Sequence, residues 1–262
     1  MGMYFIYFLI FMFGASIGSF ANVCIFRWTE GQSVVREPSH CFSCGHKIAW
    51  YDNIPIFSWL MLKGKCRNCG SLISMQYPFI EFICGFTFLS IFYVWGFSFM
   101  SALLMFLTWF FVVATVTDIK DRIIPNELIL VGIAAMPIFY YFNPEMTPLW
   151  LALGLVFPSI LLLVVSVIAE QVTGLETVIG GGDIKFLFVV GGLMGPIFSM
   201  LILMGGCVCL TIVYFAYFIE DLVYHKQTYI PMMVGFGMMY GLILLMYYLS
   251  PDYAYIKGLL FL

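Results

Sequence analysis

Apolar residues in this chain come in unbroken blocks, with neither the alternation of a half-buried strand nor the one-sided stripe of a soluble helix. Blocks at 3–26, 79–97, 99–117, 124–142, 148–169, 197–219 and 232–250 have the length that crosses a bilayer as a helix, and a shorter one occupies 184–196. Turn chemistry separates them at Asn143-Pro144, Pro148, Gly195-Pro196 and Ser250-Pro251. The pattern predicts an all-α polytopic membrane protein of about eight transmembrane helices. Only 28–77 is long and polar enough to form an extramembrane module. The expected division is a first transmembrane helix in 1–27, the module in 28–77, and a transmembrane bundle in 78–262.

Composition agrees with that pattern. The chain is 63% hydrophobic and 10% charged, with a mean hydropathy of +1.03, whereas soluble domains carry about 25% charged residues. The excess apolar surface needs lipid around it. A net charge of -3 carries no nucleic-acid footprint. The first block has no basic segment before it and exceeds the roughly 7–15-residue core of a signal peptide, so it reads as a retained helix.

Where the charges fall sets the expected orientation. With the N-terminus outside, segments 27–77, 117–126, 170–185 and 220–231 face the cytoplasm. They hold Arg27, Arg36, Lys47, Lys63, Lys65, Arg67, Lys120, Arg122, Lys185 and Lys226, and only Lys257 falls elsewhere. That is the positive-inside bias.

This topology brings two acids to one boundary. Asp118 closes the third block and Asp183 opens the sixth, both on the cytoplasmic side. Each abuts a long apolar run, where an acid is costly and usually functional. Two carboxylates held close cannot both ionise easily: one keeps its proton while the other activates water. Each stands in an Asp-Ile-Lys, and positions i and i+2 on a helix point apart, so Lys120 and Lys185 are expected to reach headgroups and not their neighbouring Asp. Gly180, Gly181 and Gly182 precede Asp183 and would allow positive φ and a close approach of a substrate chain. Taken singly, either Asp could be a helix cap or a solvated group.

The module has its own chemistry. Cys41, Cys44, Cys66 and Cys69 form two CxxCG knuckles, spaced as in a zinc ribbon. Two such pairs supply four thiolates for one tetrahedral zinc ion, and a module this small needs a staple. A reducing cytoplasm disfavours disulfides, leaving redox-active or plain reduced thiols as the alternative. Cys24, Cys84, Cys207 and Cys209 lie in apolar runs, where a thiol behaves as a small hydrophobe. Gly14 and Gly18 form a GxxxG, and Gly191-Gly192 and Gly205-Gly206 are further places for close helix packing.

The order of these pieces resembles the bacterial prepilin peptidases, or type IV leader peptidases, from about residue 14 to about 237. The first block ends Gly18-Ser19-Phe20-Ala21-Asn22-Val23, like that family's GSFxNV signature. Pro38-Ser39-His40-Cys41, Trp50-Tyr51-Asp52-Asn53-Ile54-Pro55, Tyr77-Pro78 and Glu81 follow. Asp118 with Ile124-Pro125, and Gly180-Gly181-Gly182-Asp183, look like the two catalytic motifs. A family stretch like Ile-Pro-Phe-Gly-Pro reads here Ile230-Pro231-Met232-Met233-Val234-Gly235-Phe236-Gly237, without the second proline.

The resemblance implies an intramembrane aspartic protease of the GxGD type in the bacterial inner membrane. Its substrates would be type IV prepilins or type II secretion pseudopilins, cut after a Gly to release a short basic leader. Asp118 and Asp183 would be catalytic, and S-adenosylmethionine would serve a second, N-methylating activity. Glu30, Glu37, Asp52, Glu81, Glu170 and Glu176 are candidates to attract the leader, with Glu81 the most telling because it lies inside an apolar run. Competing readings are a transporter or proton channel using the Asp pair as a relay, and a scaffold docking through the Cys module. The sequence leaves the oligomeric state open.

Overall fold

Backbone polar groups cannot stay unpaired in hydrocarbon, so apolar blocks of this length resolve into helices. The computed structural model describes residues 2–35, 38–143, 146–173, 179–224 and 231–249, which carry nine α-helices. They are α1 (Gly2–Thr29), α2 (Phe57–Met61), α3 (Gln76–Trp95), α4 (Phe99–Asp121), α5 (Asn126–Phe142), α6 (Pro148–Thr173), α7 (Gly181–Met194), α8 (Pro196–Tyr224) and α9 (Met232–Leu249). A 3₁₀ turn covers Trp50–Asn53. Arg36, Glu37, the Asn143-Pro144 junction's proline, Glu176, Lys226, Ile230, the Ser250-Pro251 turn and Lys257 lie outside the described residues.

Four helices, α1, α3, α4 and α6, are long and apolar enough to cross a membrane, and α5, α8 and α9 contribute shorter apolar stretches. The chain divides into two units, Met1–Val113 and Ala114–Leu262, with the break inside α4.

In the first unit α1 pairs with α3. Glycine makes this possible: a Cβ on Gly14 would meet Phe88 Cβ at 2.7 Å, and one on Gly18 would meet Glu81 Cα at 2.8 Å. Asn22, fully buried, fastens the same pair where the module returns to the bundle. Its amide donates to Tyr77 O at 3.3 Å, and its Oδ1 accepts from Gln76 Nε2 at 3.4 Å. Arg27 is buried too, its guanidinium spent on the carbonyls of Ser33, Val34 and Pro38. The first part of α4 joins through Trp109, stacked on Phe20 at 6.1 Å.

In the second unit α7 is the axis, packing against α5, α6 and α8, while α8 pairs with α9. Phe186, Leu187, Val189, Val190 and Leu193 of α7 are fully buried. Gly191 lies so close to Gly154 of α6 that neither position has room for a Cβ. Gly205 and Gly206 of α8 likewise face Met239 and Phe236 of α9. The close packing expected at the GxxxG and both Gly-Gly pairs is present. Cys24, Cys84 and Cys209 are buried as expected, whereas Cys207 is exposed.

Candidate active site

The site is built where four helix ends of the second unit converge. Asp118 sits in the last turn of α4, just before Arg122 turns the chain at φ 56°. Pro125 then caps α5, its fixed φ of −58° restarting the helix. Asp183 falls in the first turn of α7, within the helix and not ahead of it, where an acid complements the positive end of the helix dipole. Met232 opens α9.

Both carboxylates are buried, at 8% and 9% exposure, and they interact electrostatically with each other. Their surroundings differ. Asp118 Oδ2 accepts the backbone N–H of Met233 at 3.1 Å, at the start of α9. Thr115, one turn earlier on α4, donates to Met233 O at 3.3 Å, so α4 and α9 are tied at this level. Asp183 Oδ1 is buried without a hydrogen-bond partner, and its backbone N–H donates to Gly180 O at 3.1 Å.

The three glycines behave differently from expectation. None has positive φ: Gly180 is extended at φ −66° and ψ 134°, and Gly181 and Gly182 begin α7. What they provide is room. A Cβ on Gly180 would lie 3.0 Å from Asp183 Oδ2, one on Gly182 would press on Ile124 at 3.2 Å, and Gly181 faces open space. Lys185 Nζ donates to Asn126 Oδ1 at 3.1 Å, joining α7 to α5 rather than reaching only for headgroups.

The remaining acids are largely engaged. Glu81 belongs to the first unit, where its buried carboxylate accepts the N–H of Ile56 at 2.7 Å. Asp52 takes a two-point grip from Arg67, at 2.8 and 2.6 Å, and that guanidinium holds its carboxyl below the usual range. Glu30 accepts from Gln32, and Glu170 from Ser166.

The Cys module shows one local design used twice. In each knuckle the first Cys donates its N–H to the residue five on (Cys41 to His46, Cys66 to Ser71) and accepts from a glycine four on (Gly45, Gly70). Those glycines sit at φ 69° and 71°, a left-handed conformation that glycine adopts freely. The four sulfur atoms lie within 4.8 Å of one another, and Cys41 and Cys69 are 3.8 Å apart. Tetrahedral zinc with Zn–S bonds of about 2.3 Å requires sulfurs about 3.8 Å apart, so the four thiols fit that ion. The Ser71 hydroxyl, followed by the backbone N–H groups of Cys44 and Ser43, pulls the Cys41 thiol down to about 6. Ser71 also lowers Cys69. Thiolates are the form that binds metal.

A membrane bundle with a buried, interacting Asp pair at converging helix ends defines a class, the membrane-embedded aspartic sites, and comparison with known proteins gives the family. Residues 12–95 match the Bacterial Peptidase A24 N-terminal domain, and residues 105–216 match the Type IV leader peptidase family. The chain is 32% identical over 206 residues to the prepilin leader peptidase/N-methyltransferase of Vibrio cholerae, covering 74% of this chain and 79% of that protein. It is 32% identical over 207 residues to the protein of that name from Stutzerimonas stutzeri, covering 68% and 69%. A match to the Myxococcus xanthus protein is 38% identical over 126 residues, covering 48% of this chain and 38% of that protein. No solved structure matches. The chain belongs to the type IV leader peptidase family. None of these relatives carries the name of a transporter, and the relay reading gains no support.

Proposed function

We propose that this protein is an intramembrane aspartic endopeptidase that removes the basic leader from prepilin-like precursors and methylates the new N-terminus. The observation that carries the reading is the buried pair Asp118 and Asp183, inside the region shared with the leader peptidase family.

The chemistry needs little beyond the pair. The ionised carboxylate takes a proton from water as the oxygen attacks the scissile carbonyl carbon. The protonated partner gives its hydrogen to the carbonyl oxygen. When the tetrahedral intermediate collapses, the C–N bond breaks and the amine leaves with a proton from the pair. Apparent protonation constants belong to the two groups jointly. Gly181 faces open space two residues before Asp183, which leaves room there for an extended substrate backbone, with Gly180 and Gly182 closing around it.

Substrate geometry follows from the charge distribution. A precursor with a basic leader ahead of an apolar helix keeps that leader in the cytoplasm, so the cut falls at the inner boundary. The enzyme is multi-pass, with eight transmembrane helices, the N-terminus outside, and the 28–77 module in the cytoplasm. Zinc held by Cys41, Cys44, Cys66 and Cys69 is structural: it staples two knuckles that have little core of their own. S-adenosylmethionine is the methyl-donor substrate, and no residue is assigned to it.

The test is incubation of the purified enzyme with a candidate precursor in detergent, with and without S-adenosylmethionine, followed by mass spectrometry. Cleavage in both arms, with a methyl group gained only in the second, is expected. An intact precursor in both arms would sink the reading.

A further inference from the structure

Helix α2 belongs to the polar module, yet its outward face is apolar. Phe57, Leu60 and Met61 stand at i, i+3 and i+4, which is one stripe of a helix, and they are 49%, 58% and 83% exposed. The opposite side is occupied: the Trp59 indole donates to Ile73 O at 3.1 Å, and its ring covers Gly64. The stripe is thus the side the module does not use.

The approach to α2 is strained and fixed. Ile56 has φ 64° and ψ −53°, and Phe57 N–H reaches back to Pro55 O at 2.6 Å. That is the γ-turn of the rare, strained hand, here on a β-branched residue. Such a conformation persists only when the surroundings over-determine it. What determines it is Glu81, whose carboxylate takes the Ile56 N–H at 2.7 Å. Glu81 is the sixth residue of α3, about 7 Å along the helix from its start, and it lies against Gly18 of α1. The start of α2 is therefore held beside the second turn of α3 and beside Gly18, eleven residues before the end of α1 at Thr29, alongside both helices and not beyond their ends.

We propose that α2 is an interfacial anchor, with Phe57, Leu60 and Met61 buried at the boundary between lipid headgroups and acyl chains. Three observations favour lipid over a protein partner. The stripe starts at the depth of membrane-spanning helices, on which Phe79 and Phe82 flank Glu81 and are themselves exposed. Lys63 and Lys65 follow it directly, both exposed, as suits anionic headgroups. The acids on the elements packed against α2 are both engaged, Glu81 buried on the Ile56 N–H and Asp52 gripped by Arg67, so neither is left as a free negative charge against those headgroups.

Photo-crosslinking of the full chain tests this without requiring peptidase activity, so its failure is separable from failure of the peptidase reading. p-Benzoylphenylalanine would replace Leu60, Met61 or, as a control on the second knuckle, Asn68. Each protein would be reconstituted in nanodiscs of phosphatidylcholine and phosphatidylglycerol, irradiated, and weighed by mass spectrometry. Lipid adducts at 60 and 61 at least ten times more abundant than at 68 are expected. Equal yields at all three positions, no lipid adduct at either 60 or 61, or adducts only to a second protein chain or an added precursor would overturn the proposal.

Discussion

Asp118 Oδ2 accepts one backbone N–H from a different helix, the amide of Met233 at the start of α9. Met233→Pro deletes that donor at a helix start, where proline is tolerated. A hydrogen bond to a charged acceptor contributes about 1.5–3 kcal/mol, so cleavage by the folded protein should fall roughly 10- to 100-fold, and because the Met233 side chain is fully buried the unfolding midpoint should fall as well. Met233→Leu, which keeps the amide, should cleave normally; equal rates for both variants would remove Met233 from the site. The contact left no trace in the sequence, because every residue except proline carries a backbone N–H. Asp118, Asp183 and the four cysteines were legible because an acid at the end of an apolar block, or a repeated CxxCG, is unusual for its surroundings. The conformation of Gly180, Gly181 and Gly182 was not legible: glycine permits positive φ without requiring it, and the helix start claimed two of them. Gly181→Ala should therefore fold at least as well as the wild type, gaining about 0.5–1 kcal/mol. A cleavage rate that drops without any loss of stability would mark this face as the path of the substrate chain.

At the scale of elements, the apolar blocks located the helices closely, and four of them, α1, α3, α4 and α6, are long and apolar enough to cross a bilayer. Their ends were harder to read. Block 184–196 predicted a helix starting after Asp183, whereas α7 starts at Gly181, because an acid in the first turn stabilises a helix N-terminus that glycines alone would not. The GxxxG of α1 was visible as a motif, but Gly154 is an isolated glycine whose partner, Gly191, lies 37 positions on (191 minus 154). Gly191→Leu should separate α6 from α7 and cost about 3 kcal/mol or more by overpacking. Gly241→Ala, with nothing within 4 Å, is the control and should be neutral or better. Thermal melting in detergent compares the two, and an unchanged midpoint for Gly191→Leu would refute the close approach.

For the whole molecule, a four-cysteine module on one unit and a carboxylate pair on the other make separable predictions. Purified protein should carry one zinc per chain, and Cys41→Ser should lose it, as read by elemental analysis. With its thiol held down at about 6 even without metal, Cys41 is a ready thiolate at neutral pH, and protons compete with the metal increasingly as pH falls. Zinc affinity that stayed level or rose from about pH 7 to about pH 5 would contradict that sign. The central claim is that Asp118 and Asp183 act together on one peptide bond. Its most direct test is the cleavage rate of a prepilin-like precursor by wild type, Asp118→Asn and Asp183→Asn, each shown to be folded and membrane-inserted. The account predicts a loss on the order of 10³-fold or more for each variant; a near-normal rate from either would contradict it.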